Sequence, residues 1–296
     1  MVFESSTFLE GFTGTEPCIS VVATISVSPS MNISSFNINT LILPIQLKKS
    51  LQLTSGNIFL HSTASSISSE TTFLNSKTIE VETTSSPISG NFPLAKLLSL
   101  KSVSGAVTVD VEPKESEPED FAGSLVIRTD TGSIHVNTAT SNIPNRKFIT
   151  QVHSVSGSVS GTFLLGVTSN INSVNGAIDA DFHTAGDLAN RSCIVNSVSG
   201  SVRSKILDES YSIGNVYSHF QSQSGLLDIS FPAAWQGGIS GETKSGSIDI
   251  SGDDIKIIKD IRPVPSRGRI IVARKGDGYS NLSVETVSSA ISVKFA

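Results

Sequence analysis

The chain has 296 residues, a charged fraction of 16 % and a net charge of -5. This length suits one large all-β domain or two ordinary ones, and the weak negative charge excludes the basic surface that a nucleic-acid partner requires. The hydrophobic fraction is only 38 %, below that of an average globular protein, and Ser, Thr and Asn make up the difference. This composition favours many short strands with polar outer faces.

Residues 1–50 precede the clear repeats and are predicted to form N-terminal capping strands. The first residues lack the basic and apolar regions of a secretory signal, and no apolar run of 18 residues occurs, so no membrane span is predicted. Three N-glycosylation sequons begin at Asn32, Asn190 and Asn281. A chain this rich in Ser and Thr meets the pattern by chance, so the sequons do not indicate secretion.

From Leu51 onward the sequence repeats a unit in which small polar residues and a glycine precede alternating apolar residues. The best copies are Ser154–Val159, Ser173–Ile178, Ser197–Val202 and Thr243–Ile248. Weaker copies centre on Gly56, Gly90, Gly105, Gly132 and Gly225, and Ser289 stands where the last glycine would be. The steps from Gly132 to Gly246 range from 19 to 25 residues. This period fits a turn of a β-solenoid and is too short for helical repeats.

Apolar residues recur two, four and six places after the glycines. They include Val107, Val109, Val111, Ile178, Ala180, Phe182, Leu227, Ile229, Phe231, Ile291, Val293 and Phe295. Polar residues occupy the places between, and alternate side chains of a strand face opposite sides of a sheet. Each coil is therefore predicted to present one amphipathic strand after its glycine. The glycine itself is expected to allow either a positive φ or a close approach of backbones at the corner.

The sequence therefore predicts an all-β fold, a single-stranded parallel β-solenoid of about ten coils. Stacking of ten coils gives a rod roughly 50 Å long. Residues 51–296 are assigned to one continuous repeat domain.

Two polar excursions interrupt the repeat. The charged segment Glu112–Asp120 is predicted to be an exposed loop. A second excursion, Asp260–Arg269, lies in the 43-residue step from Gly246 to Ser289, which we interpret as two coils with a degenerate corner near Gly276-Asp277-Gly278. The short stretches Pro93–Leu98 and Asp187–Asn190 are the only helix candidates and are assigned to corners or strands.

The copies at Thr243–Ile250 and Gly278–Val293 resemble the adhesin-type family of uncharacterised β-helical repeat domains, which occurs in bacteria and in fungal membrane-anchored proteins. The resemblance covers about Leu51 to the C-terminus. It implies a right-handed β-solenoid displayed on the extracellular face of a membrane, and it supplies no catalytic residue. Ser289 and the acidic insert depart from the family pattern.

Residues with catalytic or metal-binding chemistry are few. The five histidines, His61, His135, His153, His183 and His219, accompany no nucleophile elbow and no HExxH motif, so we interpret them as solvent-facing strand residues. Cys18 and Cys193 have no neighbouring metal-ligating residue, so neither a metal site nor a disulfide framework is indicated. Whether the two cysteines pair is left open.

Acidic residues suggest one candidate site. Asp228 and Asp249 occupy outward positions that could stack on successive coils, joined by Asp179 if the registers align. Carboxylates arranged in this way can bind calcium or act as acid and base on polysaccharides. Arg203 interrupts the column, and the alternative is an ordinary solvated face.

Two further motifs have alternative interpretations. The segments Gly252-Asp253-Asp254 and Gly276-Asp277-Gly278 invite a calcium interpretation, but they lack the nonapeptide pattern of calcium-binding rolls and are predicted to be turns. The basic cluster Arg267, Arg269, Arg274 and Lys275 either docks an anionic surface or glycan or balances the acidic insert.

No catalytic, cofactor-binding or metal-binding residue is therefore assigned, and no cofactor is predicted. The leading hypothesis is a non-enzymatic surface or envelope β-solenoid for adhesion or interaction, with a protein or a glycan as its ligand and no nucleic-acid partner. One alternative is a rod that self-assembles through its end coils. Another is a carbohydrate-active enzyme built on Asp179, Asp228 and Asp249. The oligomeric state is left open.

Overall fold

A computed structural model describes residues 2–9, 19–28, 31–71, 74–115, 122–186, 190–207, 215–263 and 267–296. These residues form 26 strands, and none of them belongs to a helix that could cross a membrane. The strands are β1 (Val2–Leu9), β2 (Ile19–Ser26), β3 (Asn32–Thr40), β4 (Ile45–Leu47), β5 (Leu53–Ser62), β6 (Ile67–Ser69), β7 (Leu74–Thr83), β8 (Ile88–Leu94), β9 (Leu97–Ser102), β10 (Val107–Pro113), β11 (Gly123–Thr129), β12 (Ile134–Thr138), β13 (Phe148–Ser154), β14 (Val159–Leu165), β15 (Thr168–Ser173), β16 (Ile178–Thr184), β17 (Asn190–Ser197), β18 (Val202–Leu207), β19 (Asn215–Ser222), β20 (Leu227–Phe231), β21 (Gly237–Thr243), β22 (Ile248–Ser251), β23 (Ile255–Ile261), β24 (Arg269–Lys275), β25 (Ser280–Thr286) and β26 (Ile291–Phe295).

Strands β3 to β26 form the two sheets of a solenoid, whereas β1 and β2 pair with each other as an antiparallel hairpin. Sheet I has thirteen strands, in the spatial order β3, β5, β7, β9, β11, β13, β15, β17, β19, β25, β21, β24 and β23. Sheet II has eleven, in the spatial order β4, β6, β8, β10, β12, β14, β16, β18, β20, β26 and β22. From β3 to β20, consecutive strands alternate between the two sheets, and each strand up to β18 pairs in parallel with the strand two places further along the chain. One coil thus contains one strand of each sheet, and the described residues form eleven such coils. The predicted parallel β-solenoid is confirmed.

The apolar residues that follow each corner form continuous columns inside the solenoid, as predicted. Val159, Ile178 and Val202 are consecutive partners in sheet II, and the same column continues through Leu227 and Ile291 to Ile248. All six side chains are at most 4 % exposed. Each such burial contributes on the order of 1.5–3 kcal/mol, so this wall is a main source of stability.

Each coil also has a strand before the corner, which the sequence analysis does not identify. These strands belong to sheet I and end in a buried Ser or Thr. The set, here called the corner hydroxyls, comprises Ser62, Thr83, Ser102, Thr129, Ser154, Ser173, Ser197, Ser222, Thr243 and Thr286, all at most 5 % exposed. The apolar alternation of the sheet I strands, such as Ile79 and Val81 in β7, is therefore interrupted at the last inward position.

The corner hydroxyls that precede a corner glycine and are serines join consecutive coils; they are Ser102, Ser154, Ser173, Ser197 and Ser222. The Oγ of Ser197 accepts a hydrogen bond from the backbone N–H of Gly200 at 2.9 Å and donates one to the carbonyl of Gly176, on the preceding coil, at 3.2 Å. One coil further, the Oγ of Ser222 accepts a hydrogen bond from the backbone N–H of Gly225 at 2.9 Å and donates one to the carbonyl of Gly200 at 3.0 Å. The first Ser of each repeat is therefore a buried turn-capping residue.

Close approach of backbones explains the recurring corner glycine. A Cβ built on Gly176 would lie 2.0 Å from the carbonyl oxygen of Gly157, and one on Gly200 would lie 2.1 Å from that of Gly176. The φ angles of Gly176 and Gly200 lie outside the left-handed region. Of the two expected reasons for glycine, the steric one therefore applies.

Two of the weaker repeat copies are misplaced. Gly56 lies inside β5 and Gly90 lies inside β8, so neither forms a corner. The corners that follow β5 and β7 contain Ser65 and Ser86, which hydrogen-bond with the corner hydroxyls Ser62 and Thr83. Gly90 has a φ of +104°, and a Cβ built on it would lie 1.9 Å from the carbonyl oxygen of Ser69 on the preceding coil. Both features favour glycine at this position, although it is inside a strand and not at a corner.

The C-terminal end departs from the predicted coil order. β25 and β26 lie between the coil β19–β20 and the coil β21–β22, so the last coil in the sequence is the penultimate one in space. β24 pairs antiparallel with β21, and β23 pairs antiparallel with β24. The interpretation of the 43-residue step as two coils is therefore wrong, because the step contains a hairpin and one coil. Gly276–Gly278 is the reversal between β24 and β25.

The remaining segments partly lie outside the described residues. Pro93–Leu98 falls in β8 and β9, so its assignment to strands is confirmed, whereas residues 187–189 and 116–121 are not described. Arg146 anchors the start of the acidic insert by donating to the carbonyls of Lys114 at 2.9 Å and Ala95 at 2.5 Å. Burial lowers the pKa of Arg146 from its ordinary value, and the charge of Glu115 opposes this shift.

The first coil contains residues from the predicted N-terminal capping segment. β3 and β4 pair in parallel with β5 and β6 and extend both sheets of the solenoid. The division of the chain at residue 50 stays a prediction.

Candidate ligand-binding face

A shallow depression lies on the outer face of sheet I. Its volume is about 400 Å³, and its lining residues come from β11, β13 and β15: Ile127, Arg128, Gln151, Val152, His153, Asn170 and Asn172. Ile127 and Val152 point inward, so the side chains available to a ligand are the guanidinium, the imidazole and the three amides.

The strand register places these side chains in two adjacent rows. Arg128, His153 and Asn172 are consecutive partners in one row, and Gln151 and Asn170 are partners in the other. Neighbours within a row are about 4.8 Å apart because this is the spacing of paired strands. The Nδ2 of Asn172 donates to the Oδ1 of Asn170 at 2.8 Å, which fixes the orientation of both amides.

An amide ladder continues from this row. The Nδ2 of Asn196, on β17, donates to the Oδ1 of Asn172 at 3.1 Å. A fixed ladder presents donors and acceptors at regular intervals along the rod. Such a surface matches a chain-like polar ligand better than a compact apolar one.

The depression has a positive charge at one side. Lys101 is the partner of Arg128 on β9, and its Nζ lies 2.7 Å from the Oε1 of Glu82, so its charge is compensated. In the described part of the chain, no carboxylate lies within ion-pair distance of Arg128. The Arg128 guanidinium therefore remains available to hydroxyl, carbonyl or carboxylate oxygens of a ligand.

Sequence analysis identifies His153 but not the other members of this face. Arg128, His153 and Asn172 each directly precede a corner hydroxyl, namely Thr129, Ser154 and Ser173. Alignment of the repeats on the buried Ser or Thr instead of the glycine would have brought them into one column. The signal is present in the sequence, but it is weak because the aligned residues differ in type.

The predicted acidic site does not form on sheet II. Arg203 lies between Asp179 and Asp228, with nitrogen–oxygen distances of 3.6 Å and 4.0 Å, as the interruption of the column predicts. Asp228 and Asp249 do not stack on successive coils, because Ser292 of the inserted strand β26 lies between them in the register. That part of the prediction is wrong. Exposed pairs of this kind contribute about 0–1 kcal/mol each.

The histidines are distributed over both sheets. His135 and His153 are exposed, as predicted, and His61, His183 and His219 are half-buried. The Nδ1 of His135 lies 3.0 Å from the Oγ of Ser160, and Asp179 is the next residue in the same row. In a catalytic triad the imidazole lies between the nucleophile and the acid. Here the hydroxyl has the middle position, so the row does not have that arrangement.

The loop motifs have turn roles. Gly252-Asp253-Asp254 connects β22 to β23, and the guanidinium of Arg274 donates to the carbonyls of Gly276 and Gly278 at 3.1 Å each. In the Gly276-Asp277-Gly278 turn, the Arg274 guanidinium thus binds the two carbonyl oxygens that a calcium ion would need as ligands. Among the residues with described positions, no group of three or more His, Cys, Asp or Glu could hold a metal ion.

Cys193 points into the core from β17. The side chain is fully buried, and burial raises the pKa of its thiol. Cys18 lies outside the described residues.

Comparison of the chain with protein-family models, with curated proteins and with solved structures gives no match. The resemblance to the adhesin-type family therefore stays a prediction. Any function has to be inferred from the surfaces of the solenoid.

Proposed function

We propose that the protein is a non-enzymatic interaction module that binds a glycan along the outer face of sheet I. The observation that carries the proposal is the depression around Arg128, His153 and Asn170, where a guanidinium, an imidazole and oriented amides converge on one concave surface. Sugars offer hydroxyl groups that both donate and accept hydrogen bonds, which is the chemistry that amide rows match.

Exposed aromatic residues near the same face support a glycan ligand. Tyr217 points outward from β19 and is 51 % exposed, and Tyr279, just before β25, is 87 % exposed. β25 is the neighbour of β19, so Tyr279 lies directly before the strand that pairs with the strand of Tyr217. An exposed aromatic ring with a polar tip offers an apolar surface to one face of a sugar ring while its hydroxyl stays in water.

The charge arrangement on sheet II favours binding over catalysis. The carboxylates of Asp179 and Asp228 both lie next to Arg203, and Asp228 also lies 4.0 Å from the Nζ of Lys294. Because the Arg203 guanidinium lies between the two carboxylates, they do not flank an open space as the paired acid and base of a glycoside hydrolase do. Adhesion at a cell surface, as the family resemblance implies, would be the setting for such a module.

The test is a glycan array with the complete chain, followed by titration of the best ligand. Arg128→Ala and Asn170→Ala should each weaken binding by about tenfold, the loss of one hydrogen bond to a charged or oriented polar group. The matched control is Lys205→Ala, which removes an exposed cation from the outer face of sheet II. Equal affinity of all four proteins, or no glycan bound at all, would refute the proposal.

A further inference from the structure

The hairpin formed by β23 and β24, here called the terminal hairpin (Ile255–Lys275), has a charge opposite to that of the rest of the chain. It contains seven Lys or Arg residues and one Asp, a net charge of +6, whereas the whole chain carries -5. β23 is the outermost strand of sheet I, so this charge lies at one end of the solenoid.

Most of the cations in the terminal hairpin face solvent. Lys256, Lys259, Arg262, Arg267 and Arg274 are all exposed. Arg269 differs, because it forms a two-fold hydrogen bond with Asp260 at 2.9 Å and 2.8 Å and also donates to the carbonyl of Ile248 at 2.8 Å. Within the described ranges, the five exposed cations have no ion-pair partner.

Strand β23 exposes two large apolar side chains, which lie between two lysines in the sequence. Ile257 is 59 % exposed and Ile258 is 67 % exposed, and Lys256 and Lys259 flank them. The register of β23 against β24 shifts between Ile257 and Lys259, which leaves Ile258 without a partner residue on β24. The bulge thus places an isoleucine at the free edge of the sheet.

We propose that the terminal hairpin docks on an anionic lipid surface. Lys256, Lys259, Arg262, Arg267 and Arg274 would contact phosphate and carboxylate headgroups, while Ile257 and Ile258 enter the boundary between headgroups and acyl chains. Clustered basic charge together with exposed aliphatic residues is the combination that such an interface binds. The rod would then stand with its C-terminal end on the membrane and its sheet faces available to other ligands.

Two other occupants fit the hairpin less well. A polyanionic polymer would use the charges but leave the isoleucine pair in water. A second copy of the chain would bring two hairpins of charge +6 together, or would bring the hairpin against the first coil, where residues 31–50 include Lys48 and Lys49 and no acidic residue. Like charges oppose both arrangements.

The experiment is a flotation assay of the complete chain with vesicles of phosphatidylcholine alone or with about one third phosphatidylserine. We expect binding only to the anionic vesicles, and weaker binding at higher salt. Lys256→Gln/Lys259→Gln should lower the vesicle affinity by about 30-fold, since each basic residue near the surface strengthens binding about fivefold. Ile257→Ser/Ile258→Ser should lower it by at least about fivefold at the same salt concentration.

The matched control is Lys48→Gln/Lys49→Gln, which removes two lysines from the opposite end of the rod and should leave vesicle binding unchanged. Thermal melts check that every variant is folded, and Arg262→Gln/Arg267→Gln provides a second charge variant at the hairpin tip. Equal binding to neutral vesicles, equal loss in the control, or binding to heparin without binding to vesicles would each overturn the proposal. Loss of a dimer in sedimentation, without any vesicle binding by the parent, would assign the surface to self-association instead.

Discussion

The body of the solenoid and its C-terminal end are built from the same coil but in a different order. From β9 to β18, each coil lies next to the coil that precedes it and the coil that follows it in the sequence. At the C-terminal end, β25 pairs with both β19 and β21, and β26 pairs with both β20 and β22. The coil β21–β22 therefore reaches the body only through the last strands of the chain.

This difference in coil order determines how many coil interfaces are lost when one coil is removed. In the body, stability is a sum over contacts between sequence neighbours, so loss of one coil at an end removes one interface. At the C-terminal end, loss of the last coil removes two interfaces and separates β21–β24 from the rest. The type of strand pairing does not show this difference in stability, because the coils of both regions pair in parallel ladders of the same kind.

Deletion of the last coil should have the largest effect on the C-terminal end. Deletion of residues 278–296 removes Leu282, Val284, Ile291, Val293 and Phe295, all at most 5 % exposed. The lost burial amounts to roughly 10 kcal/mol before compensating entropy. We expect β21–β24 to lose protection from hydrogen exchange completely, while β9–β16 stays protected.

The control for the truncation is deletion of residues 1–50, which removes β1–β4 and exposes only one coil face. That variant should keep protection in every strand from β7 to β26. If the C-terminal truncation left β21–β24 as protected as in the parent, the inserted coil would not be what connects them to the body.

Glycine substitutions give the second largest effect. Gly176→Ala in the body should lower the free energy of unfolding by about 3 kcal/mol, because the new Cβ meets the carbonyl oxygen of Gly157 at 2.0 Å. Gly238→Ala in β21 should change it by less than about 0.5 kcal/mol, because no atom lies within 4 Å of a Cβ there. Urea unfolding of both variants measures the difference, and equal losses would contradict the steric explanation of the corner.

Substitution of a corner hydroxyl should have the smallest effect, and it should differ between the body and the C-terminal end. Ser197→Ala should cost about 1–3 kcal/mol, because it leaves the N–H of Gly200 without its acceptor and the carbonyl of Gly176 without a donor. The equivalent Thr286 is different, since its buried Oγ1 has no hydrogen-bond partner among the described residues. Thr286→Val should therefore be neutral or stabilising in thermal melts, and a loss as large as that of Ser197→Ala would mean that both hydroxyls have the same role.

The strands of sheet II were predicted from the sequence, and those of sheet I were not. Val159 and Ile178 belong to an apolar alternation phased by glycine, which has few explanations other than a strand. The inward residues of sheet I at the corners are Ser and Thr, such as Ser154 and Ser197, and polar residues at the end of a strand resemble a loop. Only the hydrogen bonds of these Ser and Thr side chains distinguish the end of a strand from a loop.

The coil order and the candidate ligand-binding face could not be predicted from the sequence either. The repeat copies around Gly246 and Ser289 follow the same pattern, so local sequence does not say which of them contacts the coil of Gly225. Asp228 and Asp249 were expected to be neighbours for this reason. Arg128, Gln151 and Asn170 come from three strands and converge only because the sheet I registers align.

The out-of-order coil also matters while the chain is being synthesised. Domains and coils generally fold as they leave the ribosome, from the N-terminus onward. Residues 232–275 emerge before β25 and β26, yet their place in the solenoid is one coil further along than the next open position. The position next to β19 and β20 can therefore receive its native occupants only after β25 and β26 have been synthesised, and these two strands enter the rod between two coils that precede them in the chain.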